Sequence, residues 1–329
     1  MSLLFRGVCK VIFERSERKS VEILRILSEQ QSPLGAKRLS ELLAERGFMM
    51  SDRAVQYYLQ YLDEKGFTRK VGNKGRVLTT EGFSEAKDAL VDDRMGYIIS
   101  RLEQLSFNVS FDPKTLTGDI AYNLTYVPYD EIKNVTRAYD EVVASGYNFF
   151  RGYSITDNDP RLPPDTVGFM SACSITMDGV LQNNGIGVDI VYGGRFRIID
   201  KRPVCFEDLI AYRGTTIDPL SLFINAGLTS VQSLVHTGSG VALANVREVT
   251  VQAKDRVEGI VDDMAECGFV RPVGLGTSPF NLRTDPYRLS IVFFSGLNLV
   301  ANAIECNCNI TTDIGAGIIP FSKIADGGR

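Results

Sequence analysis

From Lys65 to Arg76 the chain carries five basic side chains and no acidic one, arranged around Gly72-Asn73-Lys74-Gly75. The runs Phe67–Val71 and Arg76–Thr79 on either side are β-prone, and the four turn-formers between them predict a hairpin with a positively charged tip. A two-stranded hairpin is marginal alone and needs a core to lean on. The sequence before it supplies one. Lys19–Gln31 places Val21, Leu24 and Leu27 at helical spacing, with Ile23 widening the stripe. Ser32-Pro33-Leu34-Gly35 reads as a turn and cap, and a second helix with Leu39, Leu42 and Leu43 on its apolar face stops at Gly47. Ser51 caps a third helix that runs to about Lys65 and closes at Gly66. After the hairpin, Leu78-Thr79-Thr80-Glu81-Gly82 opens another helix through Leu90.

Three helices, a basic hairpin and a closing helix are the element order of a winged helix-turn-helix, here residues 1–90. The third helix divides into two faces. Val55, Leu59 and Leu62, helped by Tyr58, form the apolar face, while Arg53, Gln56, Tyr57 and Gln60 form the other. Forked donors and amides suit base edges, and the Lys and Arg of a wing suit sugar–phosphate. The candidate DNA-binding residues are therefore Ser51, Arg53, Gln56 and Tyr57 on the helix and Arg69, Lys70, Lys74 and Arg76 on the wing. A solvated polar face, or a winged helix used for protein contacts, is the alternative reading.

The charge distribution agrees with a nucleic-acid partner for this part alone. Residues 1–90 carry 16 Lys and Arg against 12 Asp and Glu, whereas the whole chain has 36 against 40. A basic head on an acidic body is the expectation, with chance fluctuation as its rival. The six cysteines are scattered, no secretory segment is evident at Met1–Phe13, and the expectation is a cytoplasmic protein with reduced thiols. Ile291–Ile304, the longest apolar stretch, is too short to span a bilayer and contains Asn298 and Asn302, so no membrane association is expected.

Residues 91–106 read as a connecting helix with Met95, Ile98, Ile99, Leu102 and Leu105 as its apolar set. Beyond it, over 107–329, short β runs alternate with amphipathic helices, the pattern of a larger mixed α/β (α+β) domain. Asn123–Gly146 can be laid without gaps on Asn245–Gly268, an offset of 122 residues, with Asn123/Asn245, Val127/Val249, Val135/Val257, Asp140/Asp262 and Gly146/Gly268 identical. An internal duplication into two similar lobes is the expectation, with a chance strand–helix match as its rival. Catalytic chemistry is sparse. The one histidine, His236, sits in a loop-like Val-His-Thr-Gly-Ser-Gly context, Cys306-Asn307-Cys308 lacks zinc-site spacing, and Gly274-x-Gly276 lacks the rest of a dinucleotide fingerprint. No metal or cofactor is expected. Three small polar clusters remain, around Cys173–Val180, Tyr212–Pro219 with Gly227–Ser230, and Gly296–Asn298. Hydroxyls, glycine N–H groups and a nearby Arg suit a carboxylate, although each cluster also reads as ordinary turn and cap chemistry.

The strings AYRGTTIDPLSLFINAGLTSV (Ala211–Val231), SITMDGVL (Ser174–Leu181), NVREV (Asn245–Val249) and GLNLVANAIE (Gly296–Glu305) resemble the archaeal nitrogen regulatory repressor family, NrpR. The resemblance covers essentially the whole chain, a winged helix followed by one regulatory domain. It implies a repressor of nitrogen-assimilation genes that binds an inverted-repeat operator as a homodimer and is released by 2-oxoglutarate. A related repressor subunit or a small nitrogen-signalling protein is the further partner it implies. A dicarboxylate needs cationic or N–H-rich anchors, for which Arg213 and Arg247 are the candidates, with Thr215, Thr216, Cys173, Thr176 and Asn298 lining the cleft. A metabolic enzyme acting on a small carboxylate with a fused winged helix, and a protein-interaction module, are the competing readings.

Overall fold

A computed structural model of the chain describes residues 19–30, 32–88 and 97–325. Two compact units divide between Arg94 and Met95. In the first, helix α1 covers 19–29, followed by α2 (Ala36–Glu45), α3 (Asp52–Glu64), β1 (Thr68–Lys70), β2 (Arg76–Leu78) and α4 (Thr80–Asp88). Residues 89 and 90, expected to end that last helix, lie outside the described residues. Ile23, Leu24 and Ile26 of α1 meet Leu39 and Leu43 of α2 and Val55, Leu59 and Leu62 of α3 in one buried cluster that also takes Leu78 from the hairpin. Ser51 caps α3, its Oγ accepting from the Ala54 N–H at 3.3 Å. The strands pair antiparallel with Thr68 opposite Leu78 and Lys70 opposite Arg76. Leu34 adds a bridge on the other side of Arg76, N to O at 3.0 Å and back at 2.9 Å. That bridge explains Gly75: its φ is +122°, and a Cβ there would lie 2.2 Å from the Leu34 carbonyl.

The second unit opens with α5 (Tyr97–Asn108), which corresponds to the connecting helix expected over 91–106; Met95 lies outside the described residues. Then follow β3 (Asp119–Pro128), α6 (Ile132–Ser145), β4 (Tyr153–Thr156), β5 (Thr166–Ala172), α7 (Ile175–Asn183), β6 (Asp189–Ile199) and β7 (Arg202–Ala211). The chain continues through α8 (Pro219–Asn225), α9 (Val231–Thr237), β8 (Gly240–Thr250), α10 (Lys254–Glu266), β9 (Gly274–Gly276), β10 (Arg288–Phe294), α11 (Asn298–Glu305), β11 (Thr311–Pro320) and α12 (Ser322–Ala325).

The repeat suggested by the sequence runs through the fold. Moving β3 by 122 residues reaches β8, the 3₁₀ turn Tyr129–Glu131 falls on Val251–Ala253, β5 falls on β10, and α7 falls on α11. Gly146 and Gly268, which close the equivalent helices, both take positive φ, +77° and +97°. Strand register repeats as well: Tyr122 faces Ala172 in one half and Ala244 faces Phe294 in the other. The last strand of each half, however, is exchanged. One sheet has the order β11-β3-β5-β4 and the other β7-β6-β8-β10-β9, so β6, which ends the first half, completes the second half's sheet, and β11 completes the first half's. Thr311 faces Tyr126 just as Asp189 faces Glu248.

The halves part company at the open edge of those swapped strands. Beside β6 lies β7. Beside β11 lies α5, where Arg101 Nη2 donates to the Gly315 carbonyl at 3.1 Å and meets Asp313 at 3.3 Å. A second antiparallel contact, Phe150 against Phe269, joins the halves inside an aromatic cluster with Phe111, Phe149 and Phe321. Among the described residues no helix is long and apolar enough to cross a membrane.

Candidate nucleic-acid face and effector cleft

On the first unit, burial of Val55, Leu59 and Leu62 turns the opposite side of α3 outward. Arg53, Gln56, Tyr57 and Gln60 are exposed, Tyr57 by 71%. Gln56 and Gln60 share an open groove with Lys70, Asn73 and Gly72 of the hairpin and with Ala36 at the start of α2. Amides on one wall and a lysine on the other is an arrangement fit for base edges beside a phosphate. Arg69, Lys70 and Lys74 are exposed. Two of the eight residues expected to touch DNA have structural uses here. Ser51 spends its hydroxyl on the α3 cap. Arg76, only 17% exposed, points its Nε to Asp63 at 2.7 Å, while Thr68 Oγ1 donates to the same carboxylate at 2.6 Å, so Arg76 ties the wing to α3 while still lining the groove beside Gln56 and Lys70.

On the second unit, a narrow cleft of about 20 Å³, room for about one water, lies between the repeated halves. Its walls come in equivalent pairs: Asn123 with Asn245, Cys173 with Ser295, and Ile175 with Leu297. The cleft therefore sits on the axis that relates one half to the other. Tyr212, Asp218 and Leu220 close one side and Leu102 of α5 contributes from another. The Tyr212 hydroxyl donates to Asn245 Oδ1 at 3.2 Å, and Asn245 Nδ2 donates to Ser174 Oγ at 3.4 Å. Asn123 Oδ1 accepts from the Gly315 N–H at 3.0 Å.

The cation of the cleft is Arg247. It is 1% exposed and its Nε donates to both oxygens of the fully buried Asp178, at 2.8 and 3.0 Å. Its guanidinium carbon lies 5.8 Å from the Tyr212 ring and 5.5 Å from the Phe293 ring. Burial pushes the Asp178 carboxyl up and Arg247 pulls it back. Burial also raises Asp218 and pushes the Tyr212 phenol well above its ordinary value, and the Cys173 thiol is pushed up to about 11 by burial.

The remaining residues expected in the cleft fall elsewhere. Arg213 is exposed and does not line it. Thr215 and Thr216 are half-buried outside it, and Thr215 Oγ1 donates to the Tyr212 carbonyl at 2.9 Å. Thr176 and Asn298 are indeed equivalent positions, but both are fasteners. Thr176 Oγ1 bonds the N–H and C=O of Ala121 at 3.2 Å; Asn298 bonds the N–H and C=O of Leu243 at 2.7 and 3.0 Å, and Ala121 and Leu243 are themselves equivalent. Each pins a helix start to the first strand of its own half.

The carboxylate chemistry read into the polar clusters is present, and the chain's own carboxylates use it. Glu305 Oε1 accepts from Thr229 Oγ1 at 2.6 Å and the Val231 N–H at 3.0 Å, and its Oε2 accepts from the Gln232 N–H at 2.7 Å. Asp218 caps α8 through the N–H groups of Leu220 and Ser221. Sequence reasoning missed Asn123, Asn245, Tyr212 and Asp218 as cleft residues. The signal for the first two was available, because Asn123/Asn245 is one of the identical pairs in the repeat. His236, read as a loop residue, lies in the last turn of α9, half exposed, 4.0 Å from the Glu141 carboxylate. Among the described residues no group of His, Cys, Asp and Glu could hold a metal ion.

Comparison with known proteins bears on both units. Residues 95–326 match the family described as NrpR regulatory domains NRD1 and 2, and residues 21–86 match the ribonuclease R winged-helix domain. The global nitrogen regulator NrpRI of Methanosarcina mazei is 38% identical over 316 residues, covering 94% of this chain and 96% of that protein. The global nitrogen regulator NrpR of Methanococcus maripaludis is 31% identical over 299 residues, 90% of this chain but only 52% of the relative, so this chain spans about half of that longer protein. These relatives are named as regulators, not as enzymes. A nitrogen repressor-like protein from Methanococcus jannaschii has a crystal structure that agrees in fold, with a TM-score of 0.59 at 18% identity over 69% of this chain and 96% of that one. A winged helix joined to a duplicated regulatory domain, matched along nearly its full length, makes this chain a member of the NrpR family of nitrogen regulators.

Proposed function

We propose that this chain is a transcriptional repressor of nitrogen-assimilation genes that holds an inverted-repeat operator as a homodimer and releases it when 2-oxoglutarate opens and occupies the cleft of the second unit. Arg53, Gln56, Tyr57 and Gln60 read bases, and Arg69, Lys70 and Lys74 grip phosphates. A dimer would present two such helices about 34 Å apart, or a multiple of that, to match successive major-groove faces.

The observation that carries the effector half of this reading is the position of Arg247. It is a buried cation at a cleft lined from both halves of the repeat, and one wall of that cleft, Leu102, belongs to the first described helix after the DNA-binding unit. Asp178 engages Arg247 through Nε and Nη1 makes a long bond to the Val246 carbonyl at 3.4 Å, while a two-nitrogen guanidinium edge is the geometry that receives a carboxylate in bidentate fashion. The second carboxylate of the effector falls to neutral donors, Tyr212, Asn123, Asn245 and Ser174, because Arg213 stands outside. Linkage then requires operator DNA to weaken effector binding by the same factor as effector weakens operator binding, typically about 5–150-fold.

A mobility shift on nitrogen-assimilation promoters containing inverted repeats, with and without 2-oxoglutarate, tests the proposal. Sequence-selective, salt-sensitive binding relieved by the effector is the expected result. Binding indifferent to 2-oxoglutarate would remove the effector assignment, and a chain that ignores every such duplex at low salt would remove the repressor assignment.

A further inference from the structure

Asp178 stands at the start of a physical path out of the cleft. Its partner Arg247 is on β8, but Asp178 itself is on α7, and the next residue, Gly179, is the point where α7 meets α5. A Cβ at Gly179 would lie 2.4 Å from Val109 Cβ and 2.6 Å from the Ser106 carbonyl, so the two helices touch backbone to backbone there. Ser106 Oγ with Gln182 Oε1 at 3.2 Å, and Asn183 Nδ2 with the Val109 carbonyl at 2.8 Å, fasten the pair on either side. The same α5 grips the edge of β11 through Arg101. One buried ion pair thus ties the effector cation to the helix where the chain from the winged helix enters the second unit.

We propose that the Asp178–Arg247 pair is the transducing contact of the cleft: an anionic group taken by the Nη1–Nη2 edge of the Arg247 guanidinium weakens its hold on Asp178, and α7 and α5 shift together. The proposal rests on the effector reading above. In a buried setting the attraction between two unit charges is large, and a second anion on the same guanidinium competes for it directly. Asp178 therefore acts as a positioning residue, in opposition to the effector, and its charge is what the effector works against.

The test measures effector affinity and operator coupling separately on the full chain. Asp178→Asn keeps an acceptor for Arg247 Nε and removes the charge. Titration calorimetry with 2-oxoglutarate should show binding tightened about fivefold or more, while the factor by which 2-oxoglutarate weakens operator binding falls from the 5–150-fold range toward 1. A merely structural role for Asp178 would weaken effector binding, not strengthen it. Hydrogen exchange on the unaltered chain gives a second reading that needs no variant: saturating 2-oxoglutarate should speed exchange across α7 and α5 together. If the unaltered chain binds 2-oxoglutarate while Asp178→Asn neither tightens that binding nor uncouples it, or if exchange in α7 and α5 is unmoved, the relay is wrong and the effector site stands. If the unaltered chain gives no binding heat at all, the effector reading falls and the relay with it.

Discussion

Asn298 offers the sharpest test of the difference between a residue that lines a ligand site and one that holds the fold. It is fully buried and bonds three backbone groups: the Leu243 N–H at 2.7 Å, the Leu243 carbonyl at 3.0 Å and the Tyr147 carbonyl at 2.7 Å. In Asn298→Ala the Leu243 carbonyl keeps the Ser295 N–H as a donor at 3.0 Å, whereas the Leu243 N–H and the Tyr147 carbonyl lose these partners. Two orphaned buried groups at about 1–3 kcal/mol each, with a small cavity added, come to about 3 kcal/mol. For a unit of this size that is a fall of roughly 6–12 °C in Tm. Thr176→Val at the equivalent position should cost less, about 1–2 kcal/mol, because its two bonds to Ala121 are both 3.2 Å long and the Ala121 carbonyl also accepts from the Cys173 N–H. Urea unfolding followed by circular dichroism measures both, and calorimetry on the folded fraction measures effector affinity, which should change by less than about twofold. An Asn298→Ala protein of unaltered stability that had lost effector binding would refute the reasoning and return Asn298 to the ligand.

The other expectations concern both units. Replacing Arg69, Lys70 and Lys74 together by Ala should weaken binding to all duplexes and flatten the log–log salt dependence by up to about 2.7, near 0.9 for each phosphate left without its cation, as read by fluorescence anisotropy across a salt series. Arg76→Ala should lower the melting temperature of the winged unit instead, since the Asp63 carboxylate it meets at 2.7 Å loses its cation, with a smaller effect on the salt slope than any of the three free wing residues. Cys173, its thiol pushed up to about 11 by burial, should be alkylated at pH 8 at least about tenfold more slowly than half-buried Cys205, as mass spectrometry of the labelled peptides will show. The Asp159 carboxyl is held below its ordinary value by the Arg161 side chain, which also reaches the Ala316 carbonyl at 2.9 Å and the Tyr122 hydroxyl. A depressed carboxyl stabilises the fold fully above its unfolded pKa, near 3.9, and that contribution is lost as pH falls through the lower folded value, so Asp159→Asn should lose stability at neutral pH and show a weaker acid dependence in melts below pH 4.

The first unit was almost wholly legible in the sequence because each of its elements is short, local and closed by its own cap or turn. Ser51, Gly66 and the Gly72–Gly75 turn are signals read within a few residues. What was not legible was the pairing of Arg76 with Asp63, since two oppositely charged residues thirteen positions apart look equally available for solvent or phosphate until α3 and the wing are docked. In the second unit the repeat was visible, but its exchanged strands were not, because β6 pairs forward with β8 of the other half and β11 pairs back with β3 from more than half the chain away. The residues expected in the cleft divide by the same physics. Arg247, offered with Arg213 as a cationic anchor for a dicarboxylate, does line the cleft. Thr176 and Asn298 were misplaced because a hydroxyl or amide at a helix start serves a ligand or a neighbouring backbone equally well, and only the position of Ala121 or Leu243 decides. Arg213 was drawn in by its neighbours in sequence, yet it stands exposed one residue past the buried Tyr212.

The reciprocal placement of β6 and β11 has a consequence for the birth of the molecule. Synthesis runs from the N-terminus, and early parts of a chain ordinarily begin folding while later parts are still being made. Here the sheet that contains β3, β5 and β4 waits for residues Thr311–Pro320 before its β3 edge is covered. Until those residues leave the ribosome, a long apolar strand lies open to wrong pairing, so chains halted before Thr311 should aggregate or be degraded, whereas chains extended past Pro320 should resist protease.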